Sequence, residues 1–292
     1  MNACEERIRA RDTSLFSAIH SETTENDKKS LLVLQECARS AGEYTYLEIG
    51  SALGGTIQPH YVDPLCTMIY SIDKRPEFVQ DDRGRLIHYP HNSSRGMLRG
   101  LAQAFPWVTK SRIRTFDLDA SLVNPSEIAQ KPGLCLIDGE HTVAAVFSDF
   151  MFCLAVSDSN AIIALHDANI ITGALRRIEA CLISGSTRFQ SLILPDMVCT
   201  ILLNGAVAYA DRLSPMSLNK DEYFRRSEER LSRRRRENQN SIIILLTDRL
   251  AKYPRLYNWV RRVKRTIMRQ NCPIQKDCFL TRGHQGECQT RL

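Results

Sequence analysis

The stretch LEIGSALGGT, residues 47–56, decides the fold. With the preceding residues it makes Tyr44–Ile49 (YTYLEI) a strand, which Gly50 stops. A strand ending in an acid and a glycine, then a glycine-bearing loop into a helix, is how open α/β sheets receive a nucleotide-like ligand. Gly50, Gly54 and Gly55 would let the backbone approach that ligand where a Cβ obstructs it. Glu48 suits a positively charged amino-acid group better than a phosphate. The spacing is neither the G-x-G-x-x-G fingerprint nor a G-x-x-x-x-G-K phosphate loop, so a plain strand-to-helix turn is the competing reading.

Working outward, Lys28–Ser40 has apolar residues at helical spacing, and Cys66–Ile72 reads as a second strand ending at Asp73. Gly96–Phe105 is predicted helical, with Pro106 at its end. Further strands are predicted at Ile113–Phe116, around Cys135–Ile137, at Ala161–Leu165, and at Phe189–Leu194 and Val198–Leu203. Helices over Thr142–Ala155 and Ile170–Leu182 lie between them. Apolar strands alternating with helices predict an α/β fold, a mostly parallel sheet covered on both faces. Residues 1–25 are polar and read as a loose N-terminal arm, 26–215 as the α/β domain, and 216–292 as a basic, mainly helical extension.

Of the 292 residues, 43% are hydrophobic and 25% charged, which suits an ordinary globular chain. The net charge of +6 is unevenly placed: residues 222–292 hold 18 Lys and Arg against 7 Asp and Glu, while 1–221 hold 21 against 26. The body is slightly acidic and the tail strongly basic. Seven of the ten cysteines are scattered, and Cys135, Cys153 and Cys199 sit in apolar runs as small hydrophobes. Cys272, Cys278 and Cys288 lack the paired spacing of zinc ligands. No signal-peptide pattern and no run of 18 apolar residues occurs, so no membrane span is expected and the default location is cytoplasmic.

Polar residues collect where strands end, which is where open α/β sheets place their sites. Asp73, about 20 residues after the glycines, can accept hydrogen bonds from ribose hydroxyls, or be a surface charge or cap. Asp119 in TFDLDAS can face an adenine amino group or cap a turn. LCLIDGEH (134–141) and IIALHDAN (162–169) put Asp138, His166 and Asp167 at one rim. Two carboxylates with an imidazole or water would hold a hard divalent ion such as Mg2+, able to grip both oxygens of a vicinal diol. Glu140 or His141 is the expected proton acceptor. The plainer alternative has His166 bonded to a backbone carbonyl and Asp167 capping the helix near Ile170.

Together, ExGSxxGGT (48–56), SIDK (71–74), IDGEHTxxAVxxD (137–149) and the strand ending in His166-Asp167 resemble class I S-adenosylmethionine-dependent methyltransferases. The nearest group joins macrolide and aminocoumarin sugar O-methyltransferases with cephalosporin-hydroxylase-like proteins, and the likeness covers roughly residues 28–210. It implies a Rossmann-like seven-stranded sheet with an antiparallel last strand, S-adenosylmethionine as cofactor and a small-molecule acceptor. By the same resemblance Glu48 and Gly50 line the methionine end, with Ser51, Gly54, Gly55 and Thr56 in the same loop, and Asp73 holds ribose. Asp138 is the first metal ligand and also borders the cofactor. Where the family has paired aspartates as the other ligands this chain has His166 and Asp167, and where the family has an aspartate base it has Glu140.

Three other functions compete. Arg233–Arg236 and the NWVRRVKR segment could neutralise phosphates of a nucleic-acid substrate, although a charge run is more often a solvated face. The helix near Arg255–Arg269 could lie on anionic lipid. A non-catalytic scaffold could also retain the fold. The acceptor and any homo-oligomeric state are not legible.

Overall fold

The computed structural model describes residues 3–75, 78–80, 86–88, 92–108 and 112–250; the side chains of 79–80, 86–88, 235 and 238–250 are not part of that description. The expected helix near Arg255–Arg269 and the last three cysteines lie outside the described residues. Seven strands form the main sheet: β1 (Tyr44–Ile49), β2 (Cys66–Ile72), β3 (Ile113–Phe116), β4 (Leu134–Ile137), β5 (Ile162–Leu165), β6 (Phe189–Leu194) and β7 (Val198–Leu203). Their order is β3-β2-β1-β4-β5-β7-β6. The first five run parallel, β7 is antiparallel to β5, and β6 pairs with β7 as a hairpin. The strand order reverses between β1 and β4, the crevice where such sheets bind ligands.

Helices cover both faces because the central strands are apolar on both sides. Leu47, Ile49, Cys135, Ile137, Ile163 and Leu165 pack in one core with residues of α5 (Val143–Val156) and α6 (Thr172–Ser184). Tyr44, Tyr46, Leu134, Leu136, Ile162 and Ala164 face the other core with α1 (Ala3–Arg9), α2 (Glu25–Arg39), α3 (Gln58–Val62), α4 (Ser94–Ala104) and α7 (Ala210–Leu213). The strict alternation along β1 matters below, since Glu48 shares its parity with Tyr44 and Tyr46.

The N-terminal stretch departs from the expected loose arm. Residues 3–9 are helical, Thr13–Phe16 form a 3-10 turn, and Ile8, Leu15 and Phe16 are buried against the α2 face. Three isolated apolar residues make no periodic signal, so only tertiary burial orders this segment. A short hairpin, Phe78–Gln80 with Leu86–His88, and α3 were also not expected.

Two compact units occur, Met1–Ser232 and Arg233–Leu292. The basic helix α8 (Lys220–Leu250) begins in the first, where Phe224 and Leu231 are buried in the α5–α6 core. Among the described residues no helix is long and apolar enough to cross a membrane.

Candidate active site

The parallel ladder carries on past the strand ends and aligns the polar residues. Gly50 N donates to Ile72 O, Asp73 N to Phe116 O, Asp138 N to Ile49 O, and His166 N to Ile137 O, all at 2.8–3.0 Å. One edge of the sheet therefore presents Gly50, Asp73, Asp138 and His166 side by side. Above it lies a cavity of about 680 Å3. Of the expected residues, Gly50, Ser51, Gly55, Thr56, Asp73, Asp119, Asp138, Glu140, His141, His166 and Asp167 line it; Glu48 and Gly54 do not.

Glu48 is fully buried on the α2–α3 side of β1, as its parity requires. Tyr46 Oη donates to its Oε2 at 2.5 Å and Thr56 Oγ1 to its Oε1 at 2.7 Å. Burial pushes its pKa up to about 7 against those two hydrogen bonds. The carboxyl thus braces the loop from beneath. The glycines likewise answer to protein neighbours: a Cβ on Gly50, whose φ is +91°, would stand 2.2 Å from Asp138 O, and one on Gly55 2.4 Å from His20 O. Gly50 lets β1 and β4 end in contact, and Gly55 lets the N-terminal segment close on the loop.

Asp73 orders that loop from the opposite side. Its Oδ2 accepts from Ala52 N and its Oδ1 from Arg75 N, both at 2.8 Å. Ala52 itself sits at φ +42°, a conformation costly for a residue with a Cβ. Asp119 caps the 3-10 turn after it through Ser121 N and Oγ, and it also borders the cavity. The capping role is therefore present, in a side chain that also reaches the cavity.

At the other end four ionisable groups meet. His141 Nε2 lies 3.2 Å from Asp167 Oδ2 and 3.6 Å from Asp138 Oδ1. Asp138, His141 and Asp167 offer donor atoms within 4.8 Å of one another. His166, expected beside Asp138 and Asp167 as a metal ligand, is turned elsewhere: its Nδ1 is 3.0 Å from Asp138 Oδ1 and its Nε2 3.4 Å from Asp27 Oδ2. Burial alone would lower the His166 pKa, but Asp138 and Asp27 raise it well above the ordinary value. Burial would raise Asp138, yet His166 and His141 hold it well below the usual carboxylate range. Asp167 has φ +54°, tolerated by aspartate, and its side chain is aimed at His141; α6 has no side-chain cap.

Glu140 is committed to Lys74 Nζ at 2.6 Å and to Thr142 Oγ1 at 3.1 Å. Two features of the site escaped the sequence reading. Asp149 on α5 borders the cavity while only 7% exposed, and burial with the Asp119 charge pushes its pKa up to about 7. The segment His20–Thr23 supplies a wall, held to the loop by Gln58, whose amide bonds Phe16 O, Ile19 O and Gly55 O at 2.7–2.9 Å. Remote from the cavity, the first turns of α8 pair Arg225 with Glu222 and Glu229, and Arg226 with Glu222.

Strand order, the antiparallel end and the cleft at the β1–β4 reversal together define the class I S-adenosylmethionine-dependent methyltransferase fold. The O-methyltransferase NovP shares it: 11% identity, 69% of this chain and 99% of that chain covered, TM-score 0.50. The calicheamicin methyltransferase CalS11 is also similar, at 13% identity over 70% of this chain and 94% of that chain, TM-score 0.47. No family model matches the chain, and no curated protein matches it significantly in sequence.

Proposed function

We propose that this chain is an S-adenosylmethionine-dependent O-methyltransferase acting on a small molecule that presents a vicinal diol, such as a sugar. The observation that carries this reading is one cavity with Gly50, Ser51, Gly55, Thr56 and Asp73 at one end and Asp138, His141 and Asp167 at the other. The first end suits a nucleoside with an amino-acid tail: Asp73 accepts from ribose hydroxyls and Asp119 from the adenine amino group. Ser51, Gly55 and Thr56 line the methionine end, with Glu48 and Gly54 supporting the loop from outside the cavity.

In the reaction an acceptor oxygen attacks the sulfonium methyl carbon. The carbon–sulfur bond breaks, the sulfonium becomes a neutral thioether, and the hydroxyl proton leaves to a base. The protein's main task is alignment in a shielded cavity. The donor set of two carboxylates and an imidazole fits a divalent cation, held by Asp138, His141 and Asp167. When bound, such an ion would grip the two diol oxygens and acidify the attacked one. His166 orients Asp138, and Asp27 orients His166. Glu140, a carboxylate lining the same cavity, is the group assigned to take the proton.

Calorimetry with S-adenosylmethionine, S-adenosylhomocysteine and NAD in turn tests the reading. The two sulfur nucleosides should bind and NAD should not; heat from NAD alone, or from none of the three, removes it.

A further inference from the structure

We propose that His141 is a metal ligand rather than the base, and that its nitrogen makes the site select a borderline first-row cation such as Fe2+ or Co2+, and to a smaller degree Mn2+, over Mg2+. The inference deepens the function proposed above and rests on the same site. It starts from a mismatch in the local geometry. His141 Nε2 is sealed from solvent and sits between two carboxylates, yet it makes no hydrogen bond to either. A ring nitrogen this close to Asp167 Oδ2 would ordinarily point a proton at it, because a buried polar atom without a partner costs about 1–3 kcal/mol.

The separations fit another arrangement. Bonds of about 2.1 Å to a common centre put neighbouring donors roughly 3.0 Å apart in an octahedron and 3.4 Å in a tetrahedron. The observed 3.2 Å falls inside that range and the 3.6 Å lies just above it.

The neighbouring residues say which histidine belongs to it. His166 is hydrogen-bonded to Asp138 Oδ1 through Nδ1 and turns Nε2, which also lacks a hydrogen bond, toward Asp27 at 3.4 Å, so it fixes Asp138 from behind and stands outside the cluster of Asp138, His141 and Asp167 donors. His141 stands three residues beyond Asp138 on the loop that ends where Thr142 caps α5, so its backbone is anchored on both sides. The resulting set is one nitrogen and two oxygens. Mg2+ favours oxygen donors and keeps several waters, whereas imidazole adds affinity for later first-row ions. With His141 engaged, Glu140 remains as the proton acceptor at this end.

The test uses the full chain freed of metal by a chelator, with MnCl2 as the probe. Electron paramagnetic resonance counts bound Mn2+, its pulsed form detects coupling to 14N, and Mg2+ serves as competitor. One Mn2+ per chain with a 14N signal is expected, displaced only by Mg2+ in at least ~10-fold excess over the added Mn2+. His141→Ala should erase the 14N signal and weaken Mn2+ by ~10–100-fold while changing Mg2+ affinity far less. Histidine labelled with 15N should shift the coupling in the unmutated protein, which keeps the test alive if the variant does not fold. Absent Mn2+ binding, absent nitrogen coupling, coupling that survives His141→Ala, or Mg2+ competing on equal terms each overturns the inference. S-adenosylhomocysteine calorimetry on the same samples separates the two readings. Nucleoside binding without nitrogen-ligated Mn2+ sinks only this inference. Nitrogen-ligated Mn2+ without nucleoside binding sinks the methyl-transfer reading and leaves the metal site standing.

Discussion

Replacing Asp149 by Asn should stabilise the protein, and by an amount that grows with pH. The side chain is 7% exposed, stands beside the cavity, and has its pKa pushed from 3.8 up to about 7, chiefly by burial. Below about pH 3 the carboxyl is mostly neutral in both folded and unfolded chains, and Asn should be nearly equivalent to it. Between about 4 and 7 the unfolded chain loses the proton while the folded chain keeps it, so stability falls as pH rises through this window. At ~1.36 kcal/mol per tenfold change, the full penalty is about 4 kcal/mol above pH 8 and about 1.7 kcal/mol at pH 5. Water in the cavity reaches part of the group, which makes these upper figures. Urea unfolding of both proteins at pH 5 and pH 8.5 measures the gap, and Asp149→Asn should gain about 2–3 kcal/mol more at the higher pH. A gap that does not change with pH, or a variant weaker than the parent at pH 8.5, would refute a buried neutral carboxyl here.

Asp27→Asn should cost about 3 kcal/mol at pH 6, because it leaves His166 and Asp138 without their third partner. That loss should shrink as pH rises through the raised folded pKa of His166; urea titrations finding it constant from pH 6 to 10 would count against the ion pair. Gly50→Ala should lower stability by at least about 3 kcal/mol in thermal melts, since its Cβ would meet Asp138 O at 2.2 Å; a silent substitution would mean the two strand ends can separate freely. Asp73→Ala should weaken S-adenosylhomocysteine binding at least ~10-fold by calorimetry, and unchanged affinity would take Asp73 out of the ribose role. Ending the chain after Ser232 should leave that affinity within ~2-fold while ending it at Asn219 removes buried Phe224 and Leu231 and destabilises the core; intact stability in the shorter form would contradict the packing of α8.

Much of the sheet was legible because its strands are short apolar runs bounded by acids and glycines, and β1, β2 and β3 fall on the expected residues. Asp73, Asp138, His166 and Asp167 were legible as residues of a rim because each follows a strand, while His141 was read only as a proton acceptor. Their mutual roles were not. Choosing His141 over His166 as the neighbour of both carboxylates depends on Asp27, which lies far back in the chain and carries no mark in its own helix. Glu48 was readable one step further than it was taken: in YTYLEI, period-two alternation already places it with Tyr44 and Tyr46, away from the side that holds Ile49. Asp149 stood in a quoted motif, but its burial arises only when α5 packs beside Gly139. The N-terminal wall gave no signal because its order comes from Gln58, whose contacts reach back about forty residues.

Asp27 also binds Met197 N at 2.8 Å, and Thr24 beside it binds Asp196, so the start of α2 is fastened to the turn between the two antiparallel strands. The imidazole that steadies Asp138 is thus clamped only after segments 170 residues apart have met. A chain that has assembled its five parallel strands but not its closing hairpin would hold an unbalanced rim, and chemical competence would arrive with the last step of folding.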